Sequence, residues 1–522
     1  MRFVSSGSAF LGVDIGTGSC RVLAVNHKGE ILALDKVKYP TVYPKPGWAE
    51  QDPEKIYGAM IKAIHSVTQK LTQQGFRVEV VGLSSVYHSL IALGKHNQLL
   101  TQSIIWEDLR SASEVDDIKK VKESEEFYYR TGCPIHSLYP LAKISWLRKN
   151  CPKIFSQVTK FISIKEYILL KLFDLFVIDY SVASASGLFN IHSLDWDNSI
   201  LNFLEIKKSQ LSKTVSTLTI LRPMLHEPAK AMGLSPEVPW VIGSGDGALA
   251  NLGSGIIKPG AAAVTVGTSG AVRVTRYEPK LDLQKRTWCY HVTDGRWIVS
   301  GAINNGGLVY QWLADTFFNG EKRQKQSIYN VLNALASEVP PGAQGLLFLP
   351  FLNAERSPYW NSYARGVIIG LGLQHRKQHL VRAALEGIVF GLYSIFEILE
   401  KIIGSSQEIR VSGGFVKSPI WLQILSNVFN RAINVSNTEE SSALGAALLG
   451  MLAIGALTNI EDIGKIIRVR NVCKPDNELH VYYHKLYQVY KRTYWKIVDE
   501  FTALAELRHE ALQSDVGERG EM

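Results

Sequence analysis

Two glycine-rich turns, one in each half of the chain, constrain it most. The first is Asp14-Ile15-Gly16-Thr17-Gly18-Ser19, which follows the apolar run Phe10-Leu11-Gly12-Val13. The second is Gly267-Thr268-Ser269-Gly270, between Ala263-Val264-Thr265-Val266 and Ala271-Val272-Arg273-Val274. Each reads as a hairpin turn that presents backbone N–H and hydroxyl groups. Such a cradle takes a phosphate without a cationic side chain. Turns of this kind in both halves point to duplicated domains holding one nucleotide from two sides.

At 522 residues the chain exceeds one ordinary core and predicts two large domains. Hydrophobic residues make up 46% and charged residues 20%, the balance of a globular protein in water. The net charge of +9 is scattered, with no Lys/Arg block interleaved with aromatics. That pattern does not indicate a nucleic-acid partner, though it suits an anionic substrate. Cys20, Cys133, Cys151, Cys289 and Cys473 are dispersed and form no CxxC pair. They argue against a zinc site or disulfide framework and for a reducing compartment. The first apolar strand breaks at Asp14, too early for a signal peptide, and no apolar run reaches membrane-spanning length. A cytoplasmic enzyme with no membrane partner is the expectation.

The opening region predicts strands over 10–13, 20–26 and 31–39, an antiparallel meander. A helix over 53–73 follows, with Asp52 as N-cap and Pro53 at its first position, and then a buried strand over 78–84. Meander, helix, strand is not the repeating βαβ pattern of a dinucleotide fold. It is the order of an actin-like, ribonuclease-H-like unit. The stretch 111–234 reads as mainly helical, with amphipathic spacing over 143–149 and 165–173, and as an insertion that builds much of a substrate pocket. A strand over 240–243 precedes Asp246. The second unit predicts strands over 263–266, 270–274, 297–300 and 408–411, helices starting near Gly306 and His379, and a closely packed Ala/Gly-rich helix over 442–453.

The expected fold class is therefore α/β: two actin-like domains with a cleft between them and a helical insertion in the first. The expected boundaries are 1–255, 256–458, and a helical extension with its tail over 459–522. Tyr482, Tyr483, Tyr487 and Tyr490 form an aromatic stripe in that extension. The stripe is either a homodimer interface or a cover for its own domain, and the end from Gln513 reads as unordered.

These residues closely resemble the FGGY carbohydrate kinases from about Phe10 to Ala456. One family signature is met by Pro140-Leu141-Ala142-Lys143-Ile144-Ser145-Trp146-Leu147, with Leu138 where a smaller or aromatic residue is usual. The other runs from Gly366-Val367-Ile368-Ile369-Gly370-Leu371 to His379-Leu380-Val381-Arg382-Ala383-Ala384-Leu385-Glu386. Within the family, Trp48-Ala49-Glu50-Gln51-Asp52-Pro53, Thr131-Gly132-Cys133-Pro134-Ile135-His136 and Gly245-Asp246-Gly247-Ala248-Leu249-Ala250-Asn251 are most similar to the gluconate kinases. The resemblance implies ATP and Mg²⁺ and a sugar acid or polyol as substrate.

Phosphoryl transfer is mostly positioning and charge stabilisation, so the site reduces to a few groups. Asp246, between two glycines after a strand, is either the base that takes the sugar hydroxyl proton or a turn-stabilising aspartate. The resemblance favours the base. It also places Asp14, with Asp246, at the metal, because Mg²⁺ takes few carboxylates plus phosphate oxygens. Gly16, Thr17, Gly18, Ser19 and Arg21 are the first set of phosphate candidates, with Arg21 alternatively a solvated strand residue. Gly267, Thr268, Gly307 and Gln311, then Gly413, Gly414 and Ser418, are the nucleotide candidates of the second half. Tyr87, His88, Asp108 and Arg110 are the sugar candidates, with His88 alternatively a satisfied core histidine. Tyr87 stands where many gluconate kinases carry Met. For a substrate carboxylate the candidate cations are Arg110, Lys165 and His136, with Lys165 alternatively paired to Glu166 or another carboxylate.

No G-x-x-x-x-G-K-[ST] motif occurs, no complete G-x-G-x-x-G follows the first strand, and no HExxH is present. The rival readings are a kinase for xylulose, glycerol or a related polyol, a non-catalytic sugar-binding regulator on the same scaffold, and an actin-like ATPase.

Overall fold

The computed structural model describes residues 7–318, 327–436 and 440–519. The chain divides into two compact units. The first holds residues 1–259, 274–299 and 440–468, and the second holds 260–273, 300–439 and 469–522.

In the first unit β1 (Ser8–Ile15), β2 (Ser19–Val25) and β3 (Ile31–Lys38) form the expected antiparallel meander. Helix α1 (Pro53–Gln73) begins where Asp52 caps it, its carboxylate accepting from the Glu54 and Lys55 N–H groups. Such a cap contributes about 1 kcal/mol. Strand β4 (Arg77–Ser85) then pairs parallel with β1, and β5 (Trp240–Gly245) pairs parallel with β4.

Both faces of this sheet are covered, and every residue of β1 is buried. Leu11, Val13 and Ile15 join the α1 side, while Phe10 joins the opposite core. That second face is closed by the helix Ser441–Ala453, at glycines that admit its backbone. A Cβ on Gly12 would stand 1.8 Å from the Ala443 carbonyl oxygen, and one on Gly82 would stand 1.9 Å from that of Ala446. The close packing expected of this Ala/Gly-rich helix is realised.

The insertion contains α2 (Pro140–Asn150) and α3 (Ile164–Phe173). Neither is amphipathic, contrary to the sequence expectation. All but one residue of α3 is buried, as are eight consecutive residues of α2, Lys143 and Lys165 among them. Periodicity does not reveal such burial: Lys165 is paired with Asp179, and Lys143 donates to three backbone carbonyls. The insertion also carries short strands, such as Lys160–Ile162 and Val177–Asp179, too brief to show a period-two signal.

In the second unit β6 (Ala261–Val266), β7 (Glu408–Ser412) and β8 (Ile433–Ser436) are parallel neighbours, with Val469–Cys473 antiparallel at the edge. Helix α5 (Gly307–Phe317) and helix α6 (Lys377–Ile403) begin near the expected residues. Helix α7 (Asn477–Arg519) runs beyond Gln513, where an unordered end was expected. Its aromatic stripe covers its own unit. Tyr483, Tyr487 and Tyr490 are buried against Phe390 of α6, joined by Tyr494, whereas Tyr482 of the expected stripe is exposed. The Arg382 guanidinium donates to Glu386 at 2.7 Å and to the Tyr483 hydroxyl at 2.7 Å, fixing the second signature beneath this helix. Among the described residues, no helix is long and apolar enough to cross a membrane.

Candidate active site

The register of the first sheet assembles one end of the site. Asp14 lies opposite Arg21 on β2 and opposite Ser84 on β4, and Ser244 of β5 lies opposite Ser84. Asp14 and the residue two before Asp246 are thus two strands apart, about 10 Å at the usual inter-strand spacing. Burial raises the Asp14 carboxyl above its ordinary range, offset by a hydrogen bond from Ser84 Oγ at 2.8 Å and by Arg21 at 3.3 Å. Arg21 reaches Glu440 as well, at 3.3 Å, so it is an ion-paired residue rather than a solvated one. The atom that faces Glu440 is the buried Nε.

The first turn is tightly held. Gly16 N–H donates to Ser19 O at 3.1 Å, and the Tyr39 hydroxyl donates to Gly16 O. Gln51 donates to Thr17 O, and the Trp106 indole donates to the Thr17 hydroxyl at 3.0 Å. Gly18 is exposed at the apex, while Ser19 is buried. Burial first, and then neighbours that include Asp14 and Asp246, push the Tyr39 phenol upward, so both carboxylates act on one side chain.

Asp246 opens α4 (Asp246–Gly253) directly after β5, partly exposed, with its Oδ1 accepting from Gly247 N–H at 2.7 Å. Tyr87 is buried beside it and shares Ser181 with Gly245: the Tyr87 hydroxyl is 3.0 Å from Ser181 Oγ, which accepts from Gly245 N–H at 3.2 Å. His88 has φ of 67°, a left-handed conformation rare for a side-chain-bearing residue. Its Nδ1 is 2.8 Å from Ala185 O, and its ring packs on Tyr139 and Tyr290. The structure therefore brings Tyr87, His88 and Asp246 to one place.

Asp108 and Arg110 are directed at each other. Arg110 gives Asp108 two side-chain hydrogen bonds at 2.8 Å, donates to Glu50 at 2.6 Å, and stacks 3.7 Å above the Trp48 ring. Asp108 has no exposed surface. The pair forms a wall rather than an open donor and acceptor. Lys165 is likewise corrected. It is fully buried, 2.6 Å from Asp179 and 3.2 Å from Ser244 O, and so is closed to a substrate carboxylate. Glu166 is not its partner, because it completes the capping box of α3 with Ser163. His136 is half-buried, its Nδ1 accepting from Leu138 N–H at 3.2 Å, which leaves Nε2 as the protonated ring nitrogen of the neutral form.

The second unit contains a cavity of about 570 Å³. Gly267, Thr268, Gly307, Gln311, Gly414 and Ser418 line it together, as the sequence grouped them. Gly413 does not line it. Its φ of 106° and a Cβ position 2.2 Å from Val266 O instead let the chain turn beside β6. The start of α5 is latched to the second turn: Gly307 N–H donates to Gly267 O at 2.8 Å, and Leu308 N–H donates to Thr268 O at 3.1 Å. The aromatic lining from Tyr310, Tyr329, Phe415 and Trp421 escaped sequence reasoning. So did Asn333, whose Oδ1 accepts from Tyr310 at 2.8 Å and from Ser418 at 2.9 Å. These residues come from three helices and one short turn with no shared motif. An apolar cavity of this size with a few convergent polar groups suits a flat aromatic ligand.

Residues 9–253 match the FGGY family of carbohydrate kinases, N-terminal domain, and residues 262–454 match its C-terminal domain. The chain belongs to this family. The FGGY kinase is 40% identical to a gluconokinase of Bacillus subtilis, covering 88% of this chain and 90% of that protein. It is 30% identical to a xylulose kinase of Staphylococcus epidermidis over 93% of this chain and 96% of the relative. A solved gluconate kinase from Lactobacillus acidophilus superposes with a TM-score of 0.90 at 32% identity, covering 95% of this chain and 99% of that one. This FGGY kinase thus has the two-domain actin-like α/β fold of sugar kinases, acts on a carbohydrate, and binds ATP as the family does.

Proposed function

We propose that this FGGY kinase phosphorylates the terminal hydroxyl of gluconate, giving 6-phosphogluconate and ADP. The observation that carries the reading is the placement of Asp246. Its carboxylate is partly exposed, flanked by glycines, and set beside Tyr87 and His88 at the sheet end that also holds Asp14. The hydroxyl oxygen attacks the γ-phosphorus, the bond to the β–γ bridging oxygen breaks, and Asp246 takes the hydroxyl proton. The gluconokinase relatives, at 40% and 38% identity, support gluconate over other sugars.

The nucleotide base and ribose are assigned to the aromatic cavity of the second unit, and each glycine turn is a phosphate candidate of its own unit. Asp14 and Asp246 would hold Mg²⁺, which neutralises phosphate charge when bound. Among the described residues no group of three or more His, Cys, Asp or Glu side chains forms a metal cage. Two carboxylates plus phosphate oxygens are what Mg²⁺ ordinarily takes, and the donor set fits. With Arg110 and Lys165 internally paired, His136 is assigned to the substrate carboxylate.

A second reading, xylulose as substrate, is favoured by the xylulose kinase of Lactobacillus acidophilus, which matches with the same TM-score of 0.90 and 32% identity. An ADP-release assay across gluconate, xylulose, glycerol and other hexonates and pentitols tests the proposal. Gluconate should give the highest kcat/KM, and a clear preference for xylulose overturns the assignment.

A further inference from the structure

We propose that Lys143 is a positioning residue for the sugar, its ammonium tying the His88 turn to the segment that leads into Trp106. This rests on the reading that places His88 at the sugar.

Lys143 lies in α2 with no exposed surface. Its Nζ donates to His88 O at 2.6 Å, to Ile105 O at 2.8 Å and to Ile104 O at 3.2 Å. Three protons meet three carbonyls, and no carboxylate hydrogen-bonds to it. Burying an ammonium is costly unless it is fully hydrogen-bonded, and an apolar side chain of similar volume would pack at least as well. Packing alone therefore does not explain a lysine here.

What the three carbonyls connect explains it better. His88 holds a left-handed backbone conformation that needs restraint from outside, and its carbonyl receives the shortest of the three bonds. Ile104 and Ile105 run directly into Trp106, whose indole is bonded to Thr17 in the first glycine turn. One cation thus fixes the distance between a sugar-facing histidine and a brace of the phosphate turn. Position 143 is the lysine of the first family signature, and the structure gives it work that neither substrate contact nor proton transfer supplies.

The charge is sensitive to its surroundings. Burial pulls the ammonium down to about 7, with Asp108 favouring the charged form and Arg110 opposing it. Glu114, on the helix Ala112–Lys120 that packs on α2, is taken up by Ser113 and Asn150. A neutral amine offers two protons to three carbonyls, so deprotonation releases one of them.

The test is steady-state kinetics on the full chain, with the accepted sugar and ATP varied separately and sugar Kd measured by calorimetry alongside. Lys143→Met should raise the sugar KM by at least about tenfold while the ATP KM moves by less than about twofold. A general structural lesion would instead lower kcat and leave both KM values in place. In the wild type, the sugar KM should climb as pH rises through about 7, and this climb should vanish in Lys143→Met. An unchanged sugar KM in the variant, or equal rises for sugar and ATP, overturns the proposal. If the variant does not fold, the wild-type profile decides, and a flat sugar KM and Kd from about pH 6 to 9 overturns it. A wrong assignment of gluconate shows up separately, as wild-type preference for another sugar, and the Lys143 comparison is then made with that sugar.

Discussion

The ring of Tyr87 lies against Gly245 so closely that a Cβ on the glycine would stand 2.0 Å from ring carbon Cε1 and 2.6 Å from the hydroxyl oxygen. Gly245 is also the residue before Asp246, and its N–H shares Ser181 with the Tyr87 phenol. Gly245→Ala should therefore push Tyr87 and Asp246 apart. We expect kcat to fall at least about tenfold, with ADP affinity retained, and truncation of Tyr87 in the same protein to restore part of the loss. Calorimetry with ADP and a turnover assay measure both. Independent, additive losses in the double variant would refute the coupling.

Asp246→Asn keeps the size and most hydrogen bonds of the side chain but removes its basicity. Loss of a general base lowers the rate by about 10²–10⁴-fold. The variant should bind sugar and metal-free nucleotide normally while product formation drops by that factor in a coupled assay. A rate within about threefold of the wild type would take Asp246 out of proton transfer.

Glu166 supplies a pH signature of stability rather than of turnover. Burial raises its carboxyl to about 7 from an ordinary 4.5. Between those values the folded state holds a proton that the unfolded state has lost, so stability falls as pH rises across the window. Below about 4.5 both states are protonated and this contribution to the slope ends. Glu166→Gln cannot ionise. Denaturant unfolding should show the variant gaining on the wild type steadily from pH 5 to 7, and a constant difference would contradict the assignment.

Asn333 joins Tyr310 to Ser418 in the cavity of the second unit. Asn333→Ala leaves both hydroxyls without that acceptor and loosens the wall. We expect ADP affinity to weaken by about tenfold, consistent with the loss of one to two hydrogen bonds, with little change in sugar KM. Trp421, part of the same wall, offers an intrinsic fluorescence readout. Unchanged nucleotide affinity would move the base-binding assignment elsewhere.

Much of this arrangement is legible from the chain. Pro53 after Asp52 marks the start of α1 at the residue where it begins, and the turn at Gly16 marks the β1–β2 hairpin, because both are local signals. The grouping of Gly267, Gly307, Gly414 and Ser418 is also legible, through family motifs rather than through spacing. Pairing is harder to read. Lys165 and Arg110 look like available cations in sequence, yet each meets a carboxylate supplied by tertiary structure: Asp179 for one, and Asp108 with Glu50 for the other. The strand Trp288–Thr293, which brings Tyr290 to His88, is not foreseen at all. Its mixed Trp-Cys-Tyr-His-Val-Thr sequence is buried on both faces and shows no alternation.

The helix Ser441–Ala453 seals the first sheet at Gly12 and Gly82, although roughly three hundred and fifty residues lie between it and β4 in the chain. Synthesis from the N-terminus therefore delivers β1, β4 and β5 long before their lid. During that interval Phe10, Val80 and Val241 lack a cover, and the lobe bearing Asp14 and Asp246 reaches its final form only after Ala453 has left the ribosome.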